Sequence, residues 1–270
     1  MTAAEHRTLF GLSFDNVDLR QALGRIDEYI RSGRPHMVFS ANVFCLFLWR
    51  HHPVIQWAYR ETDLLTVDGM ALFYASRLLG TPIRESVSGS ALFFELLALA
   101  DARGYRVFLL GAEPAVVAEA GQRLTRSYPS LQLVGVHDGY FQPGDEPEVV
   151  TQIRAAAPDV LLLGMSSPLK ERFAWAYRDH LQVPVIIGVG GMLDIAAGRC
   201  RRAPVIVRTA CLEWLWRLVQ EPRRLCRRYA VTNTLFLGLL LRELLRTYMF
   251  RRRDRPGLGH ERRRGDDESR

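Results

Sequence analysis

From His36 to about Gly198, short apolar runs alternate with helical patterns, and no other feature of the sequence constrains the fold as much. The runs are His36–Ser40, Leu64–Val67, Arg106–Leu110, Leu131–Val134, Val160–Leu163 and Val185–Ile187. Each is too short to span a bilayer, and each reads as a continuous apolar segment rather than an in-out alternation, the mark of a strand buried on both faces. Between them the spacing predicts helices over Asn42–Trp49, Ala71–Leu79, a stretch opened by Ser88-Gly-Ser90, Pro114–Ser127, Glu146–Ala156 and Pro168–His180; a further helix, Asp15–Arg31, precedes the first run. Strands joined through helices of about 10–15 residues imply a mainly parallel, Rossmann-like sheet with helices on both faces. This α/β core is expected over residues 1–198.

In such a sheet, ligands bind outside the carboxyl ends of the strands. The residues delivered there are Ser40, Asp68, Gly111, Gly164 and Gly188. Asp68 stands out because it is a carboxylate followed at once by Gly69, where the backbone can turn sharply and a ligand can approach without meeting a Cβ. The plain alternative is that Asp68 caps the helix starting near Met70, since Asp is a favoured N-cap. Lys170, the single lysine among 36 basic residues, sits with Glu171 in a segment read as a loop entering a helix, where a flexible ammonium could reach a phosphate or a sugar hydroxyl.

The charge is unevenly placed. Residues 1–198 carry 17 basic and 21 acidic side chains, net −4, whereas residues 199–264 carry 18 and 5, net +13. Past Gly198 the spacing predicts a Trp- and Arg-rich helix over Ala210–Arg228 and a second over Leu235–Phe250, whose Arg242, Glu243 and Arg246 argue for an interfacial helix rather than a spanning one. Residues 199–250 are therefore read as a basic helical appendage and residues 251–270, which lack periodicity, as a disordered tail. A basic block of this kind suits an anionic membrane, phosphorylated ligands or nucleic acid, and charge alone does not choose among them.

Several classes are disfavoured. The four cysteines have neither CxxC spacing nor His partners at zinc-finger intervals, so no disulfide framework or structural metal is expected, and a reducing cytoplasm fits. The polar start of the chain has no signal-peptide core. Gly188-Val-Gly-Gly191 is not a GxGxxG fingerprint and comes late, which weighs against a nicotinamide- or adenine-cofactor enzyme. The tail's Trp and Leu residues fall on helices rather than forming stacking platforms, which weighs against a nucleic-acid-binding module. With no D-x-D pair and no His at metal-binding spacing, no metal or other cofactor is expected, and a leaving diphosphate would rely on arginines and helix N-termini.

Thr66-Val-Asp68-Gly69, Phe108-Leu-Leu-Gly111-Ala, His137-Asp-Gly-Tyr140-Phe, Pro158-Asp159, Gly190-Gly-Met-Leu-Asp194, Ala197-Gly198, Arg202-Ala-Pro204 and the block from Leu212-Glu-Trp214 to Pro222-Arg-Arg224 resemble the WecG/TagA/CpsF family, glycosyltransferase family 26, from about Phe10 to Tyr229. The resemblance implies a metal-independent inverting transferase. Its expected donor is a UDP-sugar, its acceptor a saccharide on polyprenyl diphosphate, and its place the cytoplasmic membrane face; homo-oligomerisation stays open. The family's base falls on Asp68 and its acceptor-side polar residues on Ser40 and Asn42. Gly69, Gly111, Tyr140, Gly164, Lys170, Glu171, Gly191, Asp194 and Arg202 fall near substrate, and Arg217, Arg224 and Arg227 of the appendage face the diphosphate. The sequence departs from the family at Lys170 (usually Gln), Ser86 (usually Arg) and Ala91 (usually Asp), so the donor is expected to be either of N-acetylmannosamine type or a hexose such as UDP-glucose.

Overall fold

The computed structural model describes residues 5–209 and 212–253, without the side chains of residues 208, 209, 224, 248 and 250–253. A hairpin of β1 (His6–Leu9) and β2 (Leu12–Asp15) precedes α1 (Leu19–Ser32) and β3 (His36–Ala41). Then come α2 (Val43–His51), α3 (Pro53–Arg60), β4 (Leu64–Val67), α4 (Met70–Leu78), α5 (Gly89–Arg103), β5 (Arg106–Gly111) and α6 (Pro114–Ser127). β6 (Gln132–His137), α7 (Glu146–Ala156), β7 (Val160–Gly164), α8 (Leu169–Leu181) and β8 (Val185–Gly188) complete the α/β part, and α9 (Met192–Ala196), α10 (Val205–Thr209), α11 (Glu213–Gln220) and α12 (Pro222–Arg253) follow.

The six strands β3–β8 form one sheet in the order β4-β3-β8-β7-β5-β6, and every pairing is parallel. Alternate side chains of each strand feed separate cores. Met37, Phe39, Ala41, Leu65, Val67, Leu161 and Leu163 pack with α2, α3 and α8 on one face. Val38, Leu64, Leu109, Val160, Leu162 and Ile187 pack with α1, α5, α6 and α9 on the other. Burial on both faces is why the runs are apolar throughout. The helix after β3 lies on the first face and that after β8 on the second, so these neighbouring strands bound a topological switch point, where such sheets open a crevice.

The α/β fold and the helical C-terminal region match expectation, and several local details differ. The start of the chain forms a hairpin, held to the sheet where Asp15 Oδ2 accepts the Leu65 N–H at 2.9 Å. α1 begins only at Leu19, because Asp18 and Gln21 form a capping box there. α3 was not foreseen; Pro53 opens it, pre-set for a first helical turn. The helix expected over Ala210–Arg228 is broken at Pro222, which lacks an N–H and restricts Glu221, so α11 stops at Gln220 and α12 starts afresh. α12 then runs on through the expected gap before Leu235, where the hydroxyls of Thr232 and Thr234 bond the carbonyls of Arg228 and Ala230. Of the tail expected to be disordered, residues 251–253 continue α12 and residues 254–270 lie outside the described residues.

The C-terminal helices are not detached from the core. α12 packs on α2, and Phe236 is buried in the first core with its ring edge-on to Phe10 at 5.6 Å.

Candidate active site

Asp68 stands one residue past β4, its N–H donating to Ala41 O at 3.0 Å so that the ladder carries it to the sheet's carboxyl edge. It does not cap α4: the N-cap is Gly69, at φ +97°, and no side chain caps that helix. The Gly69 N–H instead donates to Ser86 Oγ at 2.9 Å. The Asp68 carboxyl therefore answers to its surroundings. Burial raises its pKa, the Glu213 carboxylate adds to that, and the Arg217 guanidinium and the Gly89 backbone pull it back, leaving it at about 6. A carboxylate poised there can take a proton from a hydroxyl near neutral pH.

Beside it, Ser40 and Thr66 are register partners whose hydroxyl oxygens are 2.8 Å apart. Asn42 is the next residue on that side of β3. Its Oδ1 accepts the N–H groups of Phe44 and Cys45 as the N-cap of α2, so its amide NH₂ is the part left to meet a ligand.

Cationic charge reaches this edge from α11. A Cβ on Gly191 would lie 3.1 Å from Arg217 Nη2 and 3.7 Å from Asp194 Oδ2, which brings α9 and α11 together beside Asp68. Glu213, one turn before Arg217, accepts a hydrogen bond from Ser90 Oγ at 2.7 Å. Around this cluster the backbone lies bare: among the described residues, nothing comes within 4 Å of where a Cβ on Gly69, Gly89 or Gly190 would stand.

Other expected site residues are placed differently. Lys170 is not on a flexible loop; it lies in the first turn of α8, 7% exposed, with its ammonium on Ser167 Oγ and, at 2.5 Å, on Glu171 Oε1. Glu171 is fully buried and also receives the Tyr59 hydroxyl at 3.3 Å. The lysine is thus committed to an internal ion pair, although its stem passes over Gly188 beside the crevice. A Cβ on Gly111 would fall 2.4 Å from Gly164 C and one on Gly164 2.3 Å from Leu193 Cδ1, so protein packing accounts for both glycines. Gly111 and the 69%-exposed Tyr140 belong to the far end of the sheet, four to five strand spacings of about 4.8 Å from β4. Arg202 stacks on Phe94 of α5 at 3.9 Å. Arg227 is exposed on α12, and the Arg224 side chain lies outside the described residues.

The structure thus brings together Ser40, Asn42, Asp68, Gly69, Gly191, Asp194 and Arg217. To these it adds Thr66, Ser90 and Glu213, which sequence reasoning does not name as site residues, and it sets Ser86, the departure expected near the substrate, against the Gly69 backbone. Ser90 and Glu213 carried a signal, since Ser88-Gly-Ser90 was read as a helix start and Glu213 lies in the long C-terminal block.

Residues 7–249 match the Glycosyl transferase WecG/TagA/CpsF family. An N-acetylglucosaminyldiphosphoundecaprenol N-acetyl-beta-D-mannosaminyltransferase of Bacillus spizizenii is 30% identical over 214 residues, covering 79% of this chain and 82% of that protein. A protein of the same name from Staphylococcus aureus (strain MW2) is 29% identical over 221 residues, covering 81% of this chain and 86% of its own length.

Proposed function

The chain belongs to the WecG/TagA/CpsF family and is a glycosyltransferase, and from that premise we propose that it moves a hexose from a UDP-sugar to a saccharide on polyprenyl diphosphate, with inversion and without a metal. The acceptor class follows the relatives' name, which specifies transfer of N-acetyl-β-D-mannosamine to N-acetylglucosaminyldiphosphoundecaprenol. The observation that supports the mechanism is the place of Asp68 at the sheet's carboxyl edge, with the Arg217 guanidinium of α11 near enough to lower its pKa.

The acceptor hydroxyl gives its proton to Asp68 as its oxygen bonds the anomeric carbon, and the bond from that carbon to the UDP oxygen breaks. One displacement inverts the centre. Ser40 and the Asn42 amide orient the hydroxyl. The negative charge building on UDP meets Arg217, with Arg224 and Arg227 following it in the chain, a use of fixed charge that stabilises the transition state. Among the described residues no group of three or more His, Cys, Asp or Glu is placed to hold a metal ion. The donor is of N-acetylmannosamine type or glucose; Ser86, holding the Gly69 backbone where the family usually has Arg, favours testing both.

The same reading puts the enzyme on the inner face of the membrane. No helix among the described residues is long and apolar enough to cross one. Instead, α10 to α12 expose Ile206, Trp214, Val219, Leu237, Leu241 and Leu245 within a strongly basic segment, the composition of a helix lying in an interface.

The test is turnover of UDP-N-acetylmannosamine and UDP-glucose with a polyprenyl-diphosphate N-acetylglucosamine acceptor, with and without EDTA. Sugar transfer with UDP release, unchanged by EDTA, is expected. Activity lost in EDTA and restored by Mg²⁺ would contradict the metal-free mechanism.

A further inference from the structure

Residues 88–90 serve three partners in succession. Ser88 Oγ caps α5 by accepting the Ala91 N–H at 3.2 Å, the Gly89 backbone lies close enough to the Asp68 carboxyl to lower its pKa, and Ser90 Oγ donates to Glu213 Oε1 at 2.7 Å. Ser90 is itself buried, at 5% exposure, and its hydroxyl also lies 3.3 Å from that of Ser88. One turn of helix therefore fixes the base on one side and α11 on the other.

α11 has little else to hold it. None of its residues is buried, and Trp214, Leu215 and Val219 are exposed. The side-chain hydrogen bonds of Trp216 and Gln220 go to the Arg201 backbone, within the same C-terminal region, and Trp214 stacks edge-on with Tyr229 of α12. Among the described residues, Ser90 to Glu213 is thus the side-chain hydrogen bond that ties α11 to the α/β core.

We propose that Glu213 is a positioning residue for the reaction: its hydrogen bond to Ser90 seats α11 on the sheet edge, bringing Arg217 into the site and setting a second carboxylate beside Asp68. The inference rests on the reading of Asp68 as the base. Charged groups facing Asp68 are Glu213 and Arg217, both from α11, with Asp194 of α9 next to the Arg217 guanidinium. Seating α11 therefore does two things at once. It delivers the cation for the leaving diphosphate, and it sets against Asp68 a carboxylate that adds to burial in raising its pKa, an effect the Arg217 guanidinium partly offsets.

The experiment uses the full chain labelled with ¹³C at aspartate carboxyls, titrated by NMR with the Asp68 signal assigned through Asp68→Asn, alongside hydrogen exchange of α11 and the pH profile of transfer. In the wild type the Asp68 midpoint is expected at about 6. Glu213→Gln should move it down toward 3.8, Arg217→Gln should move it up, and Ser90→Ala should lower it while speeding amide exchange in α11. The acid limb of kcat/KM should follow the same shifts. Exchange within β4 reports whether a variant still folds, and Ser90→Thr, which restores a hydroxyl, should restore both midpoint and protection. An unchanged midpoint in Glu213→Gln together with unchanged α11 protection in Ser90→Ala would overturn the proposal. Because the titration needs no substrate, shifted midpoints in a protein that transfers no sugar would refute the function and leave the coupling standing.

Discussion

Ser40 Oγ and Thr66 Oγ1 lie 2.8 Å apart across β3 and β4, one side-chain alternation before Asn42 and Asp68. The pair fixes the Ser40 hydroxyl, because Thr66 is fully buried while Ser40 remains partly open to the crevice. Thr66→Val keeps the shape and removes this partner. It is expected to cost about 1 kcal/mol in urea unfolding, the typical net worth of one hydrogen bond. It should also lower kcat roughly tenfold, since loosened orientation slows a bimolecular transfer. Wild-type kcat in Thr66→Val would show that the hydroxyl pair is structural alone.

The pKa of Asp68 carries a stability sign. Its folded value of about 6 exceeds the ordinary 3.8, so the fold holds this proton more tightly than the unfolded chain does. That contribution is fully present below pH 3.8 and is lost as pH rises through about 6. Asp68→Asn should therefore raise stability by up to about 3 kcal/mol at alkaline pH and hardly at all in acid. Thermal melts on both sides of the titration check this; an equal Tm change on both sides would contradict it.

Lys170 and Glu171 form a buried pair, and removing one partner strands the other. Lys170→Met is expected to cost about 3–5 kcal/mol, and Lys170→Met with Glu171→Leu to recover most of that loss. Urea unfolding of the three proteins decides it. A Lys170→Met variant as stable as wild type, with altered donor preference, would return the lysine to the substrate-contacting role expected from sequence.

Truncation after Ala197 cannot separate membrane binding from folding, because it would strip Phe236 from the core. The exposed row Leu237, Leu241, Leu245 and Met249 gives a cleaner handle, since the residues recur every fourth position on the side of α12 away from Phe236. Replacing Leu237, Leu241 and Leu245 by Ser should abolish sedimentation with anionic liposomes while changing stability by no more than about 0.5 kcal/mol per site. Undiminished sedimentation would show that another surface engages the membrane.

The parallel sheet was readable because burial on both faces leaves continuous apolar runs, and α6 and α7 were placed to the residue because Pro114 and Glu146-Pro147 mark their starts. Asp68 was readable as a carboxylate at a strand end. Its partners were not, because Glu213 meets Ser90 across 123 positions and only tertiary packing joins them. Lys170 misled for a related reason. A lone lysine after Ser-Ser-Pro looks like a loop cation, and what internalises it is Glu171, with Tyr59 of α3 closing the pocket. The glycines divide in the same way: Gly111 answers to Gly164 and Gly164 to Leu193, whereas Gly69 and Gly190 leave open backbone near the base.

The central claim is that Asp68 is the base of a sugar transfer. Its most direct test is the pH dependence of kcat/KM for wild type and Asp68→Asn, with a UDP-sugar and a lipid-linked acceptor. The expected wild-type profile rises tenfold per pH unit in acid and levels off above about 6, because only the ionised carboxylate accepts the proton. In Asp68→Asn that limb should vanish, with turnover lower by about 10²–10⁴-fold. A wild-type profile with no acid limb, or an Asp68→Asn enzyme that keeps wild-type turnover, would contradict the account.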